Sequence, residues 1–265
     1  MSSNHTLKMI KKLFTPFAFT SKEVYAWSSA VWLMIFLLVW YNAPVLIPSP
    51  SEMVNRFTEF VIDPDFWFDV LSSLMVTVFG MFISIVTSCI IAFLTTLPAF
   101  KPLKTLPVLR FMSMAGFIFM FTLLFHSAYY VKIALLMLGI VPFFILTLTS
   151  SIAEIPQEEF DFWTTLGYSP WKQLYYIVVF GRLEVVFKTI KANFAIAWIM
   201  IGYIETYSMA DGGIGVLLFK ANGKTQIDKV LALQLFVLIL GALSDYCLGQ
   251  LRLGLFPHIA LTEKK

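Results

Sequence analysis

The chain has 265 residues, 59% of them hydrophobic and only 13% charged, with a formal net charge of +3. Apolar runs near the roughly 20 residues needed to cross a bilayer recur along it, which excludes a soluble globular domain and marks an integral membrane protein. The small net charge gives no electrostatic footprint for nucleic acid.

Residues 1–22 form a basic tail carrying Lys8, Lys11, Lys12 and Lys22. Leu7, Ile10, Leu13, Phe14 and Phe17 give it an apolar side, so it either lies on the membrane surface or is solvated. No small-x-small site follows the first apolar run, and no cleaved signal peptide is expected. That run predicts a first span over 24–41. Residues 46–53, LIPSPSEM, hold two prolines that bar a helix interior, and Ser51-Glu52 can open a short helix through Arg56 and Phe60. A second span is predicted over 66–97. Pro98, Lys101, Pro102, Lys104, Pro107 and Arg110 then make a basic, proline-rich turn. A third span follows over 108–125, a tight turn at His126-Ser127 with a solvated histidine, and a fourth span over 129–148.

Residues 154–180, EIPQEEFDFWTTLGYSPWKQLYYIVVF, are the one long polar-plus-aromatic stretch between apolar runs. Pro156 fits a first helical turn. Glu158, Glu159 and Asp161 fall in or near that turn, where the helix dipole favours negative charge. Gly167 supplies a stop. Ser169-Pro170 reads as N-cap and first residue of a new helix running into the membrane. Phe160, Trp163 and Leu166 recur every three residues, so that face is expected to pack on the protein body. Glu158, Phe162 and Thr165 then face outward, with Asp161 beside them. The other reading is an interfacial helix anchored by its aromatics.

A fifth span is predicted over 185–207, a glycine-rich turn with Gly212, Gly213 and Gly215 after it, and a sixth span over 230–251. Three charges fall in or near spans. Glu205 either lines a water-filled path, or lies just shallow enough to reach water or caps the glycine-rich loop. Lys132 is expected to snorkel to the nearby surface in a structural role. Asp245 can pair with Arg252 or another base close by. The cysteines, Cys89 and Cys247, lie far apart in apolar segments and are expected to be buried, with no metal site. Asn222-Gly223-Lys224-Thr225 imitates the end of a phosphate loop, but Leu218 stands where its first glycine belongs, so no catalytic or nucleotide site is expected. The secondary-transporter class lacks support: there is no internal repeat and few intramembrane charges.

DFWTTLG, Asp161 to Gly167, resembles the acidic-Ala-Ala-x-x-x-Gly signature of ABC-importer permeases, with Phe162 and Trp163 in place of the alanines. Four other segments resemble the sulfonate, nitrate and taurine group of that family: LIPSP after the first span; Ser72 to Phe93 opening the second; Lys191 to Glu205 with Ala197, Trp198 and Glu205; and Met209 to Leu218. The resemblance covers roughly residues 44–256. It implies an all-α type I importer permease fold of six transmembrane helices over 23–256, between tails at 1–22 and 257–265. The segment 154–170 would be the coupling helix that docks in an ATPase groove through Glu158, Asp161, Phe162, Trp163 and Gly167. Trp198 and Glu205 would belong to the translocation path, and Gly212, Gly213 and Gly215 to an outer loop. The implied partners are a second copy of the chain, two ABC ATPase subunits that hold ATP and magnesium, an extracytoplasmic solute-binding protein and membrane lipid. The chain itself would be no enzyme and would bind no cofactor. Substrate choice would rest largely with the solute-binding protein.

Six spans put both termini on one side of a bacterial inner membrane. If the N-terminal tail, the 98–110 turn, the coupling segment with its flanks out to Lys191, and the C-terminus from Arg252 face the cytoplasm, that side holds fourteen of the nineteen lysines and arginines. This bias follows the positive-inside rule independently of any resemblance. The departures at Phe162, Trp163 and Phe180, which stands near a usual proline, and an altered entry to the third span leave an alternative. In it, a permease-like scaffold transmits ATPase motion to an outside partner without importing a solute.

Overall fold

The computed structural model describes residues 22–42 and 48–256. The expected tails at 1–21 and 257–265 and the Leu46-Ile47 part of LIPSP lie outside the described residues. The chain divides into two compact units, 1–55 and 56–265.

In the first unit, α1 (Lys22–Tyr41) coincides with the predicted first span. Its apolar side chains are exposed along its length, as a lipid-facing helix requires. Trp40 donates its indole N–H to the Pro48 carbonyl at 3.1 Å. Ser49 then caps the next helix, α2 (Pro50–Ile62). The Ser49 N–H donates to Glu52 at 2.9 Å, and the Glu52 N–H donates weakly back to the Ser49 hydroxyl. That reciprocal pair is a capping box, and it starts the helix one residue earlier than Ser51-Glu52 suggested.

In the second unit, α3 (Pro64–Leu94) opens on Asp63, whose carboxylate accepts the Asp65 N–H at 3.0 Å, with Pro64 at the first helical position. Along α3, Ser73, Thr77, Gly80, Ser84 and Ser88 are all buried. Their spacing of three or four puts them on one stripe. Thr77 and Ser84 return their hydroxyls to carbonyls one turn back, so no polar group is stranded. A methyl group at Gly80 would stand 2.6 Å from the Leu136 side chain. Small residues therefore let α3 lie close against α5 (Ala128–Ala153). In lipid this close van der Waals fit, rather than escape from water, holds helices together. Leu136, Ile140 and Phe144 of α5 form the centre of one core with Met81 and Ala92 of α3.

The third span departs from expectation. Residues Pro98–Phe111 form a 3₁₀ helix, and α4 (Met114–Leu124) leaves it at 107°. Pro102 and Pro107 lack the N–H an α-helix needs and clash with the carbonyl four residues back; 3₁₀ bonding avoids that register. Residues 108–111 thus belong to the 3₁₀ segment rather than to a span. The described residues hold five helices long and apolar enough to cross a membrane, or six if the bent pair is counted as one span.

After α6 (Gln157–Thr165) and α7 (Pro170–Gln173), the chain winds into a π-helical stretch, Leu174–Phe180. The expected unbroken helix from Pro170 into the membrane is therefore interrupted. The Gly181 N–H reaches five residues back to Tyr176 at 3.0 Å, and a side chain at Gly181 would collide with the Ile177 carbonyl. The membrane helix proper is α8 (Leu183–Tyr207), followed by α9 (Ile214–Gly223) and α10 (Ile227–Leu255). Two ion pairs join α8 to α10: Lys191–Asp245 at 3.2 Å and Arg252–Glu184 at 3.1 Å. Asp245 thus pairs with Lys191 and not with Arg252. Two turns of one helix separate Asp245 from Arg252 by roughly 10 Å, farther than the partners across the groove. Cys89 is half-buried, while Cys247 is exposed on α10, contrary to the expected burial of both.

Candidate functional site

Two features stand at the two ends of α5. Beyond its C-terminal end lies the short helix α6. Pro156 sits just before the first turn, at the N-cap position, rather than within it. Glu158 and Glu159 occupy the first turn, and Asp161 falls in the second, where Gln157 donates to it weakly at 3.4 Å. Gly167 adopts φ +78°, the left-handed conformation that ends helices. Its N–H bonds Thr164 at 2.9 Å while the Tyr168 N–H bonds Trp163 at 3.1 Å. Those two bonds are a Schellman motif, so the turn direction is fixed by backbone geometry.

Phe160 and Trp163 are half-buried and pack with Ile155, Leu174, Ile177 and Val178. The Trp163 ring stacks on Tyr176, centroids 5.5 Å apart, and meets Tyr168 edge-on at 4.7 Å. The buried Gln173 donates to the Thr164 hydroxyl at 2.9 Å and to the Tyr168 carbonyl at 3.0 Å, stapling α7 to α6. Leu166 breaks the expected face: it is 56% exposed. It occupies the C-cap, where the chain turns toward Gly167 and leaves the ridge of Phe160 and Trp163. Phe162 is 61% exposed, and Glu158, Asp161 and Thr165 are exposed around it.

At the other end of α5, four helices meet the glycine-rich loop in a buried polar knot. Glu205 is 0% exposed and accepts from the Ser73 hydroxyl and from the Gly215 N–H, both at 2.7 Å. Ser73 in turn accepts the Ile214 N–H at 2.9 Å, and Asp69 accepts the Gly213 N–H at 2.7 Å. Lys132, also 0% exposed, donates to the Gly212 carbonyl at 2.9 Å. It does not snorkel outward, because the loop carbonyl and the nearby Glu205 carboxylate offer its ammonium a hydrogen bond and opposite charge in place of water. Gly212 and Gly213 stand at φ +67° and +123°. A side chain at Gly213 would also run into the Glu205 carboxyl. Glu205 thus caps the loop, and its full burial keeps it from reaching water as a shallow position would allow. It also forms part of the wall of a cleft of about 310 Å³ with Trp198, Tyr203, Phe219, Asn222 and Gln234. Trp198 is buried there and donates to the Val237 carbonyl at 3.0 Å. Asp69, Ser73 and Gln173 were absent from the sequence-based site. The visible signal was a carboxylate and a stripe of small hydroxyls inside an otherwise apolar span.

Among the described residues no group of three His, Cys, Asp or Glu is placed to hold a metal ion.

Residues 86–252, more than half of the chain, match the family described as "Binding-protein-dependent transport system inner membrane component". No curated protein sequence matches the chain. Among solved structures, it is similar to a bacterial ABC transporter involved in the import of the acidic polysaccharide alginate. The two share 15% identity with a TM-score of 0.55, over 86% of this chain and 94% of that one. At that identity the likeness concerns the fold, the type I importer permease fold, and says nothing of the solute.

Proposed function

The chain belongs to the family of binding-protein-dependent transport inner-membrane components, the permease components of ABC importers, and from that premise we propose that it works as a homodimer driven by two cytoplasmic ATPases. An extracytoplasmic binding protein delivers a small solute of the sulfonate, nitrate or taurine kind, or a relative of these. The two copies of α4, α5 and α8 line the path. Both termini and α6 face the cytoplasm, in line with the excess of lysine and arginine on that side. ATP is hydrolysed on the partner subunits. Their closure draws the two α6 helices together, and the spans rock as rigid bodies to open the path outward.

The observation that carries this reading is the construction of α6. Phe160, Trp163 and Gln173 clamp it to its own chain, while Phe162, Glu158 and Asp161 project away from that clamp. Such a helix passes motion on because it cannot slide on its support. The scaffold alternative drew on Phe162 and Trp163 replacing small residues, but Trp163 has its own aromatic seat between Tyr168 and Tyr176. The replacement is thus compensated within this chain and needs no change of role.

Co-purification with its ATPase, followed by ATPase assays in liposomes with the binding protein, tests the proposal. Solute-stimulated hydrolysis with uptake is expected; hydrolysis without uptake of any solute would favour the scaffold. Orientation is tested by labelling Asn222→Cys with an impermeant reagent. Reaction from the periplasmic face is expected, and reaction from the cytoplasmic face alone would overturn the topology.

A further inference from the structure

The 3₁₀ segment Pro98–Phe111 has work to do that the transport reading leaves unused. In a helix of three residues per turn, positions three apart stack in a ridge. Lys101, Lys104 and Arg110 share such a ridge, interrupted at Pro107, and all three are exposed. The segment holds no Asp or Glu, and among the described residues no carboxylate lies within ion-pair distance of these three cations. Apolar side chains are exposed on the same short element: Phe111 at 76%, with Phe100 and Val108. The Arg110 guanidinium lies over the Phe111 ring, 4.8 Å from its centre. The segment follows directly on the end of α3, a helix long enough to cross a bilayer, so it begins at a membrane surface. Bare cations and bare aromatics on one short element there suit a headgroup layer over acyl chains.

A cleft of about 560 Å³ opens beside this element. Its walls come from residues 95–98, the end of α5 at Ile152, Phe160 of α6, and Trp171 and Leu174. The wall is mainly apolar, and Lys104 is its one charged side chain. We propose that this cleft is a binding site for an anionic phospholipid, whose phosphate is held by Lys104, with Lys101 and Arg110 adding to the positive field along the element, and whose acyl chain lies against Trp171 and Leu174. Phe160 joins the cleft to α6, so the bound lipid braces the support of the short helix from below.

The charge complementarity selects one occupant. A zwitterionic lipid brings its own cation to a wall that has no anion to receive it, and free phosphate leaves the apolar wall bare. The full chain, purified in mild detergent, is offered phosphatidylglycerol or phosphatidylcholine, and retained lipid is counted by native mass spectrometry. Preferential retention of phosphatidylglycerol is expected, and Lys104→Gln should lower that preference about fivefold. Lys104→Gln should cost more than Lys101→Gln, because only Lys104 borders the cleft. In the unmutated chain the preference should fall as salt rises, a test that needs no variant to fold. Ala153→Phe, which fills the cleft and leaves the charges, should also reduce retention. Equal retention of the two lipids, or a preference untouched by salt and by Lys104→Gln, would overturn the proposal. So would loss of the preference to inorganic phosphate but not to chloride of equal ionic strength, which would assign the cations to free phosphate.

Discussion

The two ends of α5 are built on opposite plans. Around Lys132, near its first turn, Lys132 and Glu205 are buried and Asp69 is half-buried, and each finds a hydrogen-bond partner in a glycine-rich loop. Around α6, beyond its last turn, the ionised groups are exposed, and buried bonds are reserved for the support beneath. Roughly 30 Å of one rigid helix separates them. The first end resists deformation, since moving any part of the knot leaves a buried polar group without its partner. The second end offers a firmly seated helix with unused side chains. In the proposed coupling role a lever needs both a fixed point and a free contact, and the two ends would supply them.

The comparison breaks most readily at the knot. Glu205→Ala leaves the Gly215 N–H without an acceptor, removes the charge near Lys132, and should cost about 3 kcal/mol. Gly213→Ala should do comparable harm from the other side, since it meets the Glu205 carboxyl and strains a backbone at φ +123°. The measurement is the fraction of detergent-purified chain that stays monodisperse after a heat step. Retention equal to the unmutated chain would show that the knot is no fixed point. At the other end, Trp163→Ala empties the seat between Tyr168 and Tyr176 and should cost about 2 kcal/mol, less than a fully buried tryptophan because Trp163 is half-exposed. Phe162→Ala should leave the heat step unchanged and lower ATPase capture instead. A reversed order between these two would invert the assignment of the α6 faces.

Gly167→Leu comes next. Nothing lies within 4 Å of where its side chain would begin, so crowding adds nothing. The cost is that of a left-handed backbone alone, about 1–2 kcal/mol. The expected result is a chain that inserts normally but captures less ATPase, because α7 leaves α6 in a new direction. Normal capture would mean that this turn does not aim the helix.

Much of this was legible in the sequence because membrane spans and helix ends carry local signals. The first, second, fourth, fifth and sixth spans lie where apolar runs put them, and Gly167 ends α6 as a lone glycine after a polar turn should. What failed depended on geometry that periodicity does not encode. Three prolines read as a turn, whereas their spacing tolerates a continuous 3₁₀ helix. Leu166 kept the three-residue rhythm but sat one step past the helix, where the rhythm no longer fixes direction. Lys132 looked close enough to water to reach it, and only the folded loop reveals a carbonyl placed to hold it inside. The partners of Glu205 lie 132 and 10 residues away, a distance across which a single sequence gives no pairing signal.

The smallest effect on the fold is the sharpest test of the exposed end. Asp161 lies in the second turn of α6, not the first, so it gains less from the helix dipole than Glu158 and Glu159 do. Its carboxylate accepts a hydrogen bond from Gln157, at a long 3.4 Å, on the same exposed helix. Asp161→Lys should therefore cost the chain only about 0.3 kcal/mol, within the scatter of a heat step. A charge reversal that the fold barely feels becomes a probe of what lies outside it. If a basic groove of the ATPase receives α6, capture should fall at low salt and recover in part as salt screens the new repulsion. Asp161→Asn should fall between the two, since it removes the attraction without adding repulsion. Capture equal for aspartate, asparagine and lysine would leave Phe162 to carry docking by shape alone, and the carboxylates of α6 would then serve the helix rather than its partner.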